Sequence, residues 1–435
     1  MFDGTTDEIS KLIEPGRVHR RVYTDSDIFE LEMERIFGRA WMFAGHTSQI
    51  PNPGDYVTSD IGRQPIIFIR HKDGKPQVLL NRCAHRGPKV CNEPCGNVKA
   101  LTCLYHGWTY DTDGTLLDVS MPEGSASHFK KSEFGLAKAS RIGEYRGFIF
   151  VSLADKGISF DEFLGPMKAN IDDLVDRAPD GQITLDAGKH RYFFRGNWKL
   201  QVENVLDSYH VPYSHASTVN KKGEQFSRRE GDKEGAQVIE ENKGKEKPSN
   251  KLRGRRSYVV GIGHGWTSKH ELNESKRTSD TFDTYKSRLI ERVGTTKAEE
   301  ILTPKYNNSL LYPNCSIMGH NIHIRIIRPV AVDLTEVTVY PVKLKGAPEE
   351  MNTANIRLLN VTHSATSFVQ TDDLESFRRT QSGLQSLQSD WIDLSRGMGE
   401  EEADPYYNAT RESAMHEMAI RAQYQAWLYY MCEAA

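Results

Sequence analysis

The chain has 435 residues, 38% of them hydrophobic, and a formal net charge of −3. That is enough length for two or three domains and enough apolar content for a real core. The near-neutral charge argues against nucleic acid as a main partner, and no apolar run approaches the roughly 18 residues that span a bilayer. The opening MFDGTTDEISKLIEPGR is polar and acidic, unlike a secretory signal, so a cytoplasmic protein is expected. Its six cysteines are too sparse for a disulfide scaffold, and where they cluster with histidine they point to metal.

In chain order, DSDIFELEMERIFG (25–38) reads as an amphipathic helix capped by Asp25 or Ser26. PIIFIRHKDGKPQVLLN is a hairpin about Asp73-Gly74, YDTDGTLLDV a second about Asp113-Gly114, and RGFIFVSL a strand over 147–153. FDEFLGPMKANIDDLVDR reads as a helix. HRYFFRGNWKLQVENVLDSYHVPYSH passes from a strand into a helix. Residues 220–257 are dense in charge and poor in aliphatics, as a solvated loop or an active-site cover would be. IHIRIIRPVAVDLTEVTVYPVKL alternates like paired strands over 322–344, and ATRESAMHEMAIRAQYQAWLYYM reads as a C-terminal amphipathic helix. The expected class is α+β. Residues 1–40 form a helical segment, 41–157 a small all-β domain, and 158–435 a larger domain whose antiparallel sheet is wrapped by helices.

Two constellations carry chemistry. In CAHRGPKVCNEPCGNVKALTCLYHGW, Cys83, His85, Cys103 and His106 are spaced C-x-H-x17-C-x2-H. Two short pairs, each with one thiolate and one imidazole, suit a two-iron cluster with unlike ends, both cysteines on one iron and both histidines on the other. Imidazoles in place of two thiolates remove negative charge and raise the potential to roughly −150 to +300 mV. Zinc is an alternative, since Cys91 and Cys95 offer a C-x3-C pair, and so is a reduced cluster that binds nothing. Gly87-Pro88 and Gly107-Trp108 after each pair let loops fold over a cofactor.

The second constellation is ENVLDSYHVPYSH. Five positions on one straight helix turn by about 140°, so His210 and His215 would not meet on it. Pro212 is expected to break the helix after His210 and let His215 swing round. Asp207, three residues before His210, shares its face. Two neutral imidazoles and a carboxylate compose the facial triad that holds Fe(II) with open positions.

CAHRG followed by CLYHGWTYDTDG resembles the Rieske [2Fe–2S] motif of aromatic ring-hydroxylating oxygenases, and ENVLDSYHVPYSH resembles the mononuclear-iron motif of their large (α) subunits. NWKLQVENVLDSYH, IRPVAVDLTEVTVY, TDDLESFRRTQ and DWIDLSRG are most similar to the benzoate, anthranilate and halobenzoate dioxygenases and the salicylate hydroxylases. The resemblance implies a helix-grip catalytic domain, with one Rieske cluster and one mononuclear Fe(II) per chain. His210 and His215 would ligate the iron, with Asp373, the second of the Asp372-Asp373 pair, as third ligand and Asp372 as a helix N-terminal charge. Asp207 would bridge His210 to a Rieske histidine of a neighbouring chain. The implied partners are dioxygen, an aromatic substrate with or without a carboxylate, and a reductase or ferredoxin that draws on NADH. The implied assembly is an α3 homotrimer or α3β3.

Glu203 and Asn204 are expected beside the bridge, where they would hold water or tune it, unless they are merely polar helix surface. Val205, Leu206, Val211 and Phe368 are apolar and near the ligands, as a ring-binding pocket requires, though ordinary core packing needs the same residues. His264, His270, His320, His323 and His363 read as structural or surface histidines, with His323 or Arg325 able to reach a substrate carboxylate. Ring dihydroxylation is the leading function. A Rieske monooxygenase or O-demethylase, and an electron carrier with an inactive second domain, are the alternatives.

Overall fold

The computed structural model describes residues 4–215, 254–268, 279–303, 305–319 and 321–433. The described chain divides into two compact units, one taking residues 4–32 and 161–433, the other 33–160. No helix among the described residues is long and apolar enough to cross a membrane.

The 33–160 unit is all-β apart from the end of a helix and short 3-10 turns. A four-stranded antiparallel sheet runs Pro76–Leu80, Gln64–Arg70, Asp55–Ile61 and Cys95–Asn97 in spatial order. A three-stranded sheet joins Leu116–Asp118, Thr109–Tyr110 and Leu101–Thr102, and another joins Arg141–Tyr145, Phe148–Ser152 and Met42–His46. Both expected Asp-Gly turns are present. Gly74 and Gly114 have φ of +83° and +90°, a region that costs a residue with a Cβ but not glycine.

The larger unit is built on a nine-stranded antiparallel sheet. Its spatial order is His190–Phe194, Leu334–Pro341, His323–Ala331, Cys315–Met318, Tyr306–Leu311, His264–Ser268, Arg256–Val260, Ala409–Ser413 and Glu402–Asp404. The helix Trp198–Leu206 lies on this sheet, and the Asn308 amide donates to Val205 O at 3.1 Å. Leu206 packs over Gly265, where an added Cβ would collide with its Cδ1.

Buried Glu32 fastens that helix to two distant segments. Its carboxylate accepts from the Trp198 indole at 2.8 Å, the Trp427 indole at 2.7 Å and the Lys199 ammonium at 2.5 Å. Removing one partner from such a buried ion pair costs about 3–5 kcal/mol. The burial of Glu32, inside a helix read only for its apolar stripe, was not visible in the periodicity.

Three expectations change. The helix expected over FDEFLGPMKANIDDLVDR is two helices, Phe160–Leu164 and Lys168–Asp176, joined by a 3-10 turn at Gly165–Met167. The expected C-terminal helix begins only at Met418, because Ala409–Ser413 is a strand paired with Arg256–Val260. Of the charged 220–257 segment, 220–253 lie outside the described residues, and Arg256 and Ser257 belong to a strand.

Candidate metal centres and active site

The Cys83 and Cys103 loops are built alike. Cys83 N donates to Pro88 O at 2.8 Å and Gly87 N to Cys83 O at 3.0 Å; Cys103 N donates to Trp108 O at 2.8 Å and Gly107 N to Cys103 O at 2.9 Å. Gly87 and Gly107 both have positive φ, +86° and +70°, so the same tight turn is made twice. Cys83 and Cys103 are buried, 2% and 1% exposed, whereas His85 is exposed and His106 part-exposed. The two imidazoles lie 4.7 Å apart between ring centroids, and His85 stacks on Trp108. The Tyr110 hydroxyl sits 3.1 Å from Cys83 Sγ and accepts from Ala84 N at 3.1 Å. This tyrosine was not singled out from the sequence.

Cys91 and Cys95 are arranged differently. Cys91 is buried in the apolar core, its backbone pinned by the Asn81 amide at 2.6 and 3.0 Å, and burial pushes its thiol up to about 11. Cys95 is exposed on a strand. A metal ligand must be a thiolate, and burial opposes that form at Cys91.

In the larger unit, Asn197 caps the helix Trp198–Leu206 by accepting from Lys199 N at 3.2 Å. The helix ends at Asp207, whose backbone is extended at φ −85°, ψ 114°. This corrects the expectation that Pro212 would break it after His210. Asp207 makes the break, its Oδ1 accepting from Tyr209 N at 2.6 Å and His210 N at 3.3 Å, a local turn that competes with helical bonding. Pro212 instead sits in the first turn of a new helix, Val211–Ser214, where its missing N–H is not needed.

The result brings His210, His215 and Asp373 together, one ligand atom from each lying within 4.8 Å of the others. Asp373 Oδ1 is 3.2 Å from His215 Nε2 and 3.5 Å from His210 Nε2. Each imidazole has a second carboxylate behind it. Asp207 Oδ2 is 3.0 Å from His210 Nδ1, and Asp372 Oδ2 is 3.3 Å from His215 Nδ1. Asp372 does lie in the first turn of the helix Gln370–Gly383, but it also orients an imidazole. A pair of histidines that each need a carboxylate at the far nitrogen was the signal that could have found it. Burial opposes protonation of His215, yet Asp373 and Asp372 outweigh it and hold its pKa above the ordinary imidazole value.

Asn204 enters this group directly, its amide donating to Asp373 Oδ1 at 3.2 Å and lying 3.3 Å from His210 Nε2. Glu203 faces elsewhere. Its Oε1 accepts from Tyr23 Oη at 2.8 Å and Tyr424 Oη at 2.5 Å. Burial pushes its carboxyl up to about 7, with Tyr424, Tyr23 and Lys199 pulling it down and Asp207 pushing it up. Val205 and Leu206 are buried between helix and sheet, Val211 is part-buried, and Phe368 is 55% exposed. His264 is buried and accepts from Tyr312 N at 2.9 Å. His323 and His363 lie 5.2 Å apart, and His270 and His320 fall outside the described residues.

Residues 40–129 match the Rieske [2Fe-2S] domain, and residues 178–433 match the ring hydroxylating alpha subunit catalytic domain. The protein is therefore a Rieske oxygenase, and the chain belongs to the ring-hydroxylating α-subunit family. It is 36% identical to the anthranilate 1,2-dioxygenase large subunit of Acinetobacter baylyi, over 88% of this chain and 80% of that one. It is 34% identical to the 2-halobenzoate 1,2-dioxygenase large subunit of Burkholderia cepacia, over 91% and 83%. Its fold matches naphthalene 1,2-dioxygenase with indole bound, at TM-score 0.81, 24% identity and 97% and 93% coverage. More narrowly, it is the α subunit of an aromatic ring-hydroxylating dioxygenase, an oxidoreductase with a Rieske cluster and a mononuclear iron, served in this family by a relay from NADH.

Proposed function

We propose that this chain places both atoms of one dioxygen on an aromatic ring, consuming two electrons and two protons, with His210, His215 and Asp373 holding the iron. The observation that carries this reading is the convergence of those three side chains. At metal–ligand bonds of about 2.1 Å, two ligands at right angles lie about 3 Å apart, and the contacts of 3.2 and 3.5 Å fit that spacing. The carboxylates that favour a positive His215 favour a metal cation equally. Cys83 and Cys103 would hold the buried iron of the cluster, and His85 and His106 the outer one. When bound, the cluster supplies single electrons and the mononuclear iron a centre for dioxygen activation.

The chain's own residues do the positioning. Asp207 and Asp372 fix the tautomers and ring planes of His210 and His215. Asn204 donates beside the ligand atoms and orients Asp373. Asp207 is 22% exposed at its side chain, which leaves it able to meet a Rieske histidine of a second chain. Leu104 and Tyr105, 85% and 56% exposed beside His106, supply an apolar surface for that docking. An α3 or α3β3 assembly, fed by a reductase or ferredoxin in the cytoplasm, completes the reading.

His210→Ala tests it. The expected outcome is an unchanged cluster EPR signal, a fall from three irons per chain to two, and no product carrying two 18O atoms from labelled dioxygen. Retention of the third iron would refute the ligand set. A wild-type product with one labelled oxygen would make the enzyme a monooxygenase.

A further inference from the structure

Arg325 sits on the strand His323–Ala331, third in the spatial order of the nine-stranded sheet, and is 2% exposed. Its Nε donates to His323 Nε2 at 3.1 Å, while His323 Nδ1 is turned to Asn321 O at 2.5 Å. That arrangement makes His323 a neutral acceptor. A guanidinium carries five N–H donors, and the terminal four of Arg325 have no partner among the described residues. No carboxylate lies within ion-pair distance of it there either. Two other buried cations of this unit do have one, Lys199 on Glu32 and Arg177 on Asp173.

The sheet register fixes which face Arg325 occupies. Arg325 is directly opposite Ser316, and directly opposed residues of an antiparallel pair share a face. Met318, two residues from Ser316, is opposite Asn308, and Asn308 bonds to Val205 O of the helix Trp198–Leu206. The guanidinium is therefore on the sheet face that carries the helix Trp198–Leu206, which ends at Asp207 just before His210. Ile327, two residues from Arg325, is opposite Val337, and Val337 is opposite Tyr192, so Tyr192 is on that face as well.

Two hydroxyls on this face are also orphaned. Tyr192 Oη and Ser316 Oγ are buried with no hydrogen-bond partner among the described residues. Tyr192 lies within electrostatic reach of both ends of the site, since Arg325 lowers its pKa and Asp373 raises it, against a burial effect that holds the phenol up to about 12. Gln370, three residues before Asp373 and fully buried, has no partner for either side-chain amide atom among the described residues. Leaving a buried charge without a counter-ion costs several kcal/mol, and buried polar groups in native proteins are normally paired. A cation, a phenol and a serine hydroxyl thus share the sheet face under the helix Trp198–Leu206, and one carboxylate would serve all three as an acceptor.

We propose that Arg325 binds the carboxylate of an aromatic carboxylic acid, with Tyr192 and Ser316 as neutral donors to the same group, so that the ring is presented toward His210, His215 and Asp373. This rests on the reading of those three residues as the iron site and deepens it by naming the substrate class. A planar guanidinium matches a carboxylate in bidentate geometry, and a neutral ring would leave the buried donors unpaired.

The test is calorimetric binding of benzoate and salicylate, with nitrobenzene as the uncharged counterpart of the same shape, to the iron-loaded oxygenase. In the wild type, both carboxylates are expected to bind at least 10-fold more tightly than nitrobenzene. Arg325→Gln should weaken them by at least about 30-fold, the lower end for truncating one partner of a buried hydrogen-bonded charge pair. It should leave nitrobenzene affinity and iron content unchanged. Tyr192→Phe with Ser316→Ala removes only two hydroxyls and should weaken the carboxylates about 5-fold or more. It decides the question should Arg325→Gln not fold. Carboxylate affinity unchanged in both variants overturns the anchor, as does equal affinity of the wild type for benzoate and nitrobenzene. Failure of the iron-site reading is separate: it appears as a wild type that lacks the third iron, whatever its affinity for carboxylates.

Discussion

In the Rieske domain, the four sequence-assigned cluster residues come from two loops with the same hydrogen-bond pattern, each closed by a glycine of positive φ. In the catalytic domain, two histidines come from a break between helices, and the carboxylate that meets them comes from Gln370–Gly383, far along the chain. The loops rest on backbone hydrogen bonds and an apolar core. The proposed iron-ligand group rests on side chains. Asp207, Asp372 and Asn204 surround it, and an ionisable network of Glu203, Tyr23, Tyr424, Lys199 and Glu32 lies along the same helix. A site held by backbone geometry is insensitive to pH and to single side chains, whereas one held by polar side chains should respond to both.

The largest expected response is at Glu203. Its folded pKa of about 7 stands above the ordinary 4.5. Below about pH 4.5 both folded and unfolded forms hold the proton and the contribution to stability is fully present. As pH rises toward 7 the unfolded chain ionises first, so stability is lost through that window, by about 3 kcal/mol in all. The groups acting on this carboxyl are Tyr23, Tyr424, Lys199 and Asp207. Glu203→Gln keeps an oxygen for both phenols but cannot ionise. Unfolding measured from pH 4 to 8 should show the variant gaining on the wild type by up to about 3 kcal/mol at the alkaline end. Parallel stability curves would show that the helix is not electrostatically loaded and would weaken the contrast between the two regions.

Asp372 should show a smaller effect, confined to the metal. Losing a carboxylate that orients a ligating histidine costs about 10–100-fold in metal affinity. Asp372→Asn should lower iron affinity by that factor in chelator competition, with the cluster spectrum unchanged. Unaltered iron affinity would return Asp372 to the role of a helix-start charge and make the side-chain support one-sided.

The same contrast explains what could be read from the sequence. The four cluster candidates, Cys83, His85, Cys103 and His106, were legible as a group because their positions follow from short local motifs and from turn chemistry at Gly87 and Gly107. His210 and His215 were legible as a pair, but the route to their convergence was misassigned. Asp207, by accepting from the backbone N–H groups of Tyr209 and His210, ends the helix before the proline can. Asp373 required a resemblance to place it, because nothing local links it to His215. Arg325 lies in an alternating strand and reads as able to reach a substrate carboxylate, but its lack of a counter-ion among the described residues is a property of the whole sheet face. The strand Ala409–Ser413 read as helix because its pairing partner, Arg256–Val260, supplies the deciding hydrogen bonds from far away.

The smallest expected effect lies at the two cysteines between the Rieske loops. If the loops' backbone geometry and their four side chains are sufficient, Cys91 and Cys95 contribute nothing to the cluster. Cys91 is held as a protonated thiol by burial and its main chain is fixed by Asn81, while Cys95 faces solvent on an edge strand. Replacing both with alanine should leave the visible and EPR spectra of the cluster unchanged. Removing the buried Cys91 sulfur should cost about 1 kcal/mol of stability, the ordinary effect of a small core truncation. Loss or shift of the cluster signal would mean that a third thiolate takes part, and that this region too depends on side chains outside its two loops.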